Sequence, residues 1–411
     1  MNSLSFLLIG LLISGLSWGQ SRETPYVVLV SFDGFRYDYA EKYDARNFKA
    51  LMREGAKAEA LIPTFPSKTF PNHYSIVTGL YPGNHGLVDN SFYDPDRNEY
   101  YAMKNRKRVT DPYYYRGIPI WTLARQHGIK SASMFWIGSE LTHSKLRPDY
   151  HFDYDESVPD TFRIQQVMAW LKLPESERPH FITLYFSYPD HEGHLHGPSS
   201  EETRLAVLRA DRNLGILMKG LRETKLPINL IVVSDHGMEE LKTIPESYIF
   251  LDEIMNRNDT TVRVSNSGTQ AHLYLSQKNK LDSLFRSLKN GEGRYSVRRQ
   301  QDFPEHWHYK TSRAGDLLIT AARGLYLIDQ PRQTYLPRSE ESIGVHGYDA
   351  NVVKNMRGIF YATGPQIKKR TTIFAFENIH IYPFISTILG LPLPEIDGKL
   401  EVLKPILLDN R

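Results

Sequence analysis

Tyr26-Val-Val-Leu-Val-Ser-Phe32 is almost continuously apolar and ends at Asp33. A run of this kind suits a central strand covered on both faces; a strand with one wet face alternates. Two further segments repeat the arrangement. Phe181-Ile-Thr-Leu-Tyr-Phe186 leads to Asp190, and Asn229-Leu-Ile-Val-Val-Ser234 ends at Asp235. Helical patterns lie between them, over Tyr43 to Gly55, Ile118 to His127, Thr161 to Leu171 and Glu201 to Leu221. Strands alternating with helices predict an α/β fold: a largely parallel central sheet with helices on both faces. Ligands of such sheets bind beyond the carboxyl ends of the strands. Three strands here each deliver a carboxylate to that end.

Composition narrows the chemistry. The 411 residues include 50 Lys+Arg against 47 Asp+Glu, a formal net charge of +3. That near balance disfavours a dedicated nucleic-acid binder. With 41% hydrophobic and 24% charged residues the chain is ordinary globular material. It has no Cys, which excludes disulfides, thiolate-held zinc, iron–sulfur ligation and thiol catalysis. A catalytic metal must be held by His, Asp or Glu.

Residues 1–20 carry no charged side chain, and Leu4 to Leu16 is an apolar run followed by Ser17 and Gly19. This reads as a signal peptide over residues 1–19, too short for a comfortable membrane span. The expected mature chain, 20–411, is a single catalytic domain without a membrane span, periplasmic or secreted. An exported chain without Cys fits a bacterial setting. Residues of about 245–345 are less regular and read as an elaboration of the same domain.

The strand ends carry histidines as well. His194 follows Asp190 in Pro189-Asp-His-Glu-Gly-His194, His236 follows Asp235 directly, and His346 stands in Gly344-Val-His-Gly-Tyr-Asp349. Three Asp and three His give ligands for two open zinc sites of three each. Imidazole and carboxylate without thiolate favour zinc, with other divalent transition metals as alternatives. Two metals side by side suit phosphoryl displacement.

Pro63 to Asn90 is the second dense segment. Thr69 precedes Phe70-Pro71, and an apolar helical run starts at about Asn72. A hydroxyl at a helix start is most often a cap; beside a metal it becomes a nucleophile.

Here the chain resembles the nucleotide pyrophosphatase/phosphodiesterase family of the alkaline phosphatase superfamily. The shared motifs are Ser31-Phe-Asp-Gly-Phe-Arg36, Lys68-Thr-Phe-Pro-Asn-His-Tyr74 with Gly79-Leu-Tyr-Pro82, and Gly86-Leu-Val-Asp-Asn90. Pro189-Asp190 with Gly193-His194, Ser234-Asp-His-Gly-Met-Glu239, His346-Gly-Tyr-Asp349 and Phe376-Glu-Asn378 with Tyr382-Pro383 complete them. The resemblance runs from about residue 25 to the end and implies an alkaline-phosphatase-like core. It implies that Asp190, His194 and His346 hold one zinc. Asp33, Asp235 and His236 hold the other, with Thr69 beside it as nucleophile. Asn90 is implied to donate to a non-bridging phosphate oxygen, alongside a backbone N–H near Thr69. The implied reaction hydrolyses nucleotide phosphodiester or pyrophosphate bonds to nucleoside 5′-monophosphates through a covalent Thr69 intermediate.

The substrate is a small nucleotide or phosphodiester, and the resemblance implies a nucleobase held between aromatics. The candidates are Phe70, Tyr154 and Tyr185, then Trp136. His73, His85, His191 and His196 are expected to orient ligands. His127, His143, His151, His180, His272, His306, His308 and His380 are expected to be structural or exposed. A lysophospholipid or glycerophosphodiester phosphodiesterase with the same metal site is the nearest rival. A phosphomonoesterase is disfavoured because nothing near Thr69 supplies an Arg for the extra charge. A formylglycine sulfatase is disfavoured because the nucleophile position reads Thr69-Phe-Pro-Asn72 and not Cys/Ser-x-Pro-x-Arg. A binder with a dead site is disfavoured because every expected catalytic position is filled.

Overall fold

The computed structural model describes residues 24–291, 293–335 and 341–408. The signal-peptide expectation lies outside them. No helix among the described residues is long and apolar enough to cross a membrane.

Eight strands form the central sheet, six of them in the first part of the chain: β1 (Tyr26–Phe32), β2 (Ala56–Ala58), β3 (Ser131–Met134), β4 (Tyr150–Phe152), β5 (Phe181–Phe186) and β6 (Ile228–Val233). Four strands of a second sheet follow in the chain: β7 (Val262–Asn266), β8 (Gln270–Leu275), β9 (Tyr295–Arg299) and β10 (Leu317–Ala321). β11 (Phe360–Thr363) and β12 (Thr371–Ile373) then return to the first. The order across the central sheet is β12-β2-β11-β6-β1-β5-β3-β4. β11 runs antiparallel to both its neighbours, and every other pairing is parallel.

β1 sits between β5 and β6 with all seven residues buried. Its side chains alternate between the two faces. Val27 and Leu29 join one apolar cluster; Val28, Val30 and Phe32 join another. The two clusters are the two covered faces that the continuous apolar run requires.

The helices include α1 (Arg46–Glu54), α2 (Thr69–Thr78), α3 (Ile120–Gln126), α4 (Asp160–Leu171), α5 (Asp190–His196) and α6 (Glu201–Thr224). α6 starts at Ser200, whose hydroxyl accepts the Thr203 N–H at 3.1 Å. It buries Ala206, Val207, Ala210, Leu214, Leu217 and Leu221, a single apolar stripe. Two expected boundaries shift. The helix expected from Tyr43 starts only at Arg46, because Asp44 takes a left-handed φ of 51°; a separate short turn at Tyr39–Lys42 precedes it. The helix expected from Asn72 begins at Thr69, since Pro71 is tolerated within a first turn.

Residues 245–345 contain the antiparallel sheet β7-β8-β10-β9, which the sequence did not resolve into strands. Leu273, Val297, Leu317 and Ile319 form part of an apolar cluster on it. An antiparallel pair, Glu239–Lys242 with Ser342–Val345, brackets this segment and ends immediately before His346.

Candidate active site

The carboxyl ends of β1, β5 and β6 converge. Gly34 turns the chain after Asp33 with φ 66°, and a Cβ there would stand 2.8 Å from Cβ of Asp190. Only glycine allows the two turns this close. The Asp190 N–H donates to the Asp33 carbonyl at 3.1 Å, and the Gly34 N–H donates to Asp235 Oδ1 at 3.1 Å. Three strand ends are thus tied together by one backbone hydrogen bond and one from backbone to carboxylate.

Two groups of potential metal ligands result: Asp33, Asp235 and His236, and Asp190, His236 and His346. His194 completes the expected second set: its Nε2 is 3.4 Å from Asp190 Oδ1, and His346 Nε2 is 3.8 Å from the same oxygen. His236 lies at the junction, 3.5 Å from Asp33 Oδ1 and 3.0 Å from Asp235 Oδ2.

The residues fit divalent-metal binding. Asp33 Oδ1, Asp190 Oδ1 and Asp235 Oδ2 are buried and accept no hydrogen bond. Such oxygens are costly unless a cation faces them. The imidazoles are prepared for the same partner. Nδ1 lies 2.8 Å from the Gly344 carbonyl in His194, 2.9 Å from the Gly237 carbonyl in His236 and 2.7 Å from the Ser67 carbonyl in His346. A carbonyl at Nδ1 places the proton there and leaves Nε2 as a lone pair.

The electrostatics of the cluster reflect crowding. Burial, then the charges of Asp235 and Asp190, push the Asp33 carboxyl well above its ordinary range. Burial pushes Asp235 the same way, but His236, His73 and the Gly34 N–H outweigh it and hold Asp235 at about 2. Burial, then His236 and Lys68, drive His346 far down.

Thr69 is the first residue of α2, at the edge of this cluster. Its Oγ1 lies 3.3 Å from His236 Nε2. His73, one turn on, brings Nδ1 to 3.0 Å from the Thr69 carbonyl and Nε2 to 2.8 Å from Ser31 Oγ. The expected orienting role for His73 therefore has its contacts. His85 differs: it is buried under α2 against Ser75 and Pro71, a helix support. His191 is exposed and lines the adjoining cavity.

Asn90 differs in detail from its expectation. Its Oδ1 accepts the Phe70 N–H at 2.9 Å. That N–H is therefore engaged, and the donor left on the amide is Nδ2.

A cavity of about 240 Å³ adjoins Thr69, lined by Phe70, Trp136, Tyr154 and Tyr185 among others. The four aromatics expected from the sequence all reach it; Phe135 joins them. Two carry added duties. Tyr185 donates its hydroxyl to Asp33 Oδ2 at 2.6 Å, and Trp136 donates Nε1–H to the His73 carbonyl at 3.0 Å. The expectation of no arginine near Thr69 needs correcting. Arg106 lines the cavity, but it is committed to Glu140, with Nη2 to Oε2 at 2.8 Å. Lys68 points away and donates Nζ–H to the Ser267 carbonyl at 2.9 Å.

This architecture has known counterparts. Residues 27–349 match the family described as type I phosphodiesterase/nucleotide pyrophosphatase. The chain belongs to that family. Mouse ectonucleotide pyrophosphatase/phosphodiesterase family member 1 is 36% identical over 406 residues, 93% of this chain and 43% of that protein. The chain thus spans under half of that relative's length. Human family member 5 is 31% identical over 409 residues, 98% of this chain and 83% of that protein. Murine family member 5, solved as an inactive Thr-to-Ala variant in complex with AMP, has a TM-score of 0.85 at 29% identity. That match covers 93% of this chain and 100% of that one. The alkaline-phosphatase-like core expected from the sequence is therefore the family's fold.

Sequence reasoning on this family member missed Asp89, Gln270 and His272. Asp89 is fully buried, and both other side chains reach it. The available signal was a polar residue at every second position, Gln270 and His272, in an otherwise apolar strand.

Proposed function

We propose that the chain is a metal-dependent phosphodiesterase/nucleotide pyrophosphatase, cleaving nucleotides to nucleoside 5′-monophosphates through a covalent Thr69 intermediate. The observation that carries this reading is the Thr69 hydroxyl. It touches the ligand cluster at His236 and lines an aromatic cavity. Asp33, Asp235 and His236 would hold one divalent ion, and Asp190, His194 and His346 a second, with zinc favoured by the donor set. The ions would supply Lewis-acid stabilisation of the nucleophile and of the charged phosphoryl oxygens.

Thr69 Oγ bonds to phosphorus as the bond to the leaving oxygen breaks. Water then cleaves the phosphothreonine ester and restores the hydroxyl. Asn90 donates from Nδ2 to a non-bridging oxygen. Its Oδ1, held by the Phe70 N–H, keeps that donor beside the nucleophile. Phe70, Tyr154 and Tyr185 receive the base by stacking. The relatives' names support the activity, and the AMP complex of the inactive Thr-to-Ala relative supports both the nucleophile and the product. Arg106 is neutralised by Glu140, which favours a diester over a monoester dianion. Export through residues 1–19 and a single catalytic unit over 20–411 belong to the same reading.

Initial rates on bis-p-nitrophenyl phosphate and p-nitrophenyl phosphate, followed by ATP, test it. Diester preference, lost on chelation and in Thr69→Ala, supports the reading. Monoester preference, or activity indifferent to Thr69, overturns it. Turnover of lysophospholipids without nucleotide turnover transfers the site to the lipid-type reaction.

A further inference from the structure

Asp89, fully buried, precedes the proposed phosphate-oxygen donor Asn90, and most of its partners come from the antiparallel sheet. Oδ1 accepts the Asn90 N–H at 2.7 Å. Oδ2 accepts Ser267 Oγ–H and Gln270 Nε2–H, each at 2.7 Å, and His272 Nε2 stands 3.2 Å away. Gln270 and His272 lie on β8, and Ser267 lies just before it. The same stretch makes two more contacts with the site. The Ser267 carbonyl accepts Lys68 Nζ–H at 2.9 Å, and Thr269 Oγ1–H reaches the His346 carbonyl at 3.2 Å. Four residues within 267–272, Ser267, Thr269, Gln270 and His272, therefore touch the neighbours of Thr69 and Asn90 and one of the expected metal ligands.

Burying a carboxylate is costly, and its cost is offset here only by a full set of donors. Such an arrangement fixes geometry more than it adds stability. Asn90 is the group it fixes. Its N–H is held by Asp89, its carbonyl accepts the Met103 N–H at 2.8 Å, and its Oδ1 accepts the Phe70 N–H. The Asp89 anchor is the one that comes from the antiparallel sheet.

We propose that Asp89, held by Ser267 and Gln270, is a positioning residue that aims Asn90 at the phosphoryl group. The antiparallel sheet is thereby part of the catalytic apparatus and not only an appendage. The inference rests on the phosphodiesterase reading, because it needs a transition state for Asn90 to meet. Asp89 acts through Asn90 and touches no substrate.

The test is a double-mutant cycle on the zinc-loaded full chain. Asp89→Asn, Asn90→Ala and the double variant are compared on bis-p-nitrophenyl phosphate. Bound zinc and melting temperature are measured alongside. Asp89→Asn should lower kcat by about tenfold to a hundredfold with KM within about twofold, the effect of a slightly misplaced donor. Zinc content should stay at the wild-type value. The double variant should be no slower than Asn90→Ala alone, because the first residue acts through the second. Gln270→Ala, missing one donor, should lose less in the same direction. Wild-type kcat in Asp89→Asn, losses that multiply in the double variant, or loss of zinc would each overturn the proposal. If Asp89→Asn does not fold, Gln270→Ala and Ser267→Ala, each paired with Asn90→Ala, carry the same comparison. A wild-type chain that binds zinc but turns over no diester overturns the parent reading and this proposal together. An active wild type with multiplicative losses overturns only this one.

Discussion

Oγ1 of Thr69 lies 3.3 Å from Nε2 of His236, the one side chain common to both groups of potential metal ligands. Helix α2 makes this possible by starting at Thr69, so that the hydroxyl sits on the end of the helix facing the cluster. Thr69 is the proposed nucleophile, so its oxygen is the atom the reaction should miss most. Thr69→Ala should lower kcat on a diester by at least about a thousandfold. It should leave AMP binding by calorimetry within a few-fold of wild type. Thr69→Ser, which keeps the oxygen, should retain measurable turnover. Full activity in Thr69→Ala would remove the covalent mechanism.

Asn90 has its oxygen occupied by the Phe70 N–H, so the group it has to offer in the proposed reaction is its Nδ2 donor. Asn90→Ala should cost about a hundredfold to a thousandfold in kcat, as removal of one preorganised donor does elsewhere. Asn90→Asp, which keeps the acceptor but has no donor, should be no better. Equal KM values in stopped assays would separate this from a binding defect.

The cavity walls should sort substrates. Tyr154 packs edge-on against Tyr185 with centroids 6.1 Å apart, and Phe70 borders the same space. Phe70→Ala and Tyr154→Ala should raise KM for ATP by about three- to tenfold, the scale of one lost aromatic contact. They should change KM for a small methyl-p-nitrophenyl phosphate diester far less. Equal effects on both substrates would remove the nucleobase from this cavity.

The central sheet was legible because β1, β5 and β6 are covered on both faces and so read as unbroken apolar runs. Their ends at Asp33, Asp190 and Asp235 followed from the same reading. The antiparallel sheet was not legible: β7 alternates weakly, and β9 is Tyr-Ser-Val-Arg-Arg with one residue in two buried. The ligand residues were legible as types in a pattern, but their hydrogen bonds were not. His272 and Asp89 are 183 residues apart, and only the sheet brings them together. His73 and His85 stand one helix apart in sequence, yet one meets the site and the other meets the back of α2. Nothing local distinguishes them.

The unpartnered oxygens of Asp33, Asp190 and Asp235 make the fold depend on what neutralises them. Chelation should lower the melting temperature, and zinc should restore it. An ion present at a hundred times its Kd contributes about 2.7 kcal/mol, or several degrees for a chain of this size. Differential scanning with and without chelator measures it. An unchanged transition would mean that the carboxylates manage their repulsion without a cation.

His85 gives the chain an acid sensitivity unrelated to the candidate metal ligands. It is fully buried, Leu87 donates its N–H to Nδ1 at 3.2 Å, and Nε2 faces Ser75 Oγ at 3.0 Å and the Pro71 carbonyl at 3.2 Å. The ring is thus a neutral imidazole, acceptor on one side and donor on the other. Burial holds its pKa down to about 3, against about 6.5 in an unfolded chain. Between those values the unfolded state binds a proton that the folded state refuses. Stability therefore falls as pH drops below about 6.5, by about 1.4 kcal/mol per pH unit from this group alone. His85→Gln offers an acceptor and a donor without titrating. It should be the less stable protein at pH 7.5, by about 1–2 kcal/mol for imperfect replacement of a buried group. The deficit should vanish and then reverse as pH falls to 4.5, because the histidine's slope costs the wild type about 2.7 kcal/mol that the variant does not lose. Urea midpoints of both proteins at pH 7.5, 6.0 and 4.5, all in chelator so that metal loss is common to both, measure the difference. Parallel pH profiles would mean that His85 is protonated in the folded chain and that the α2 support tolerates the charge.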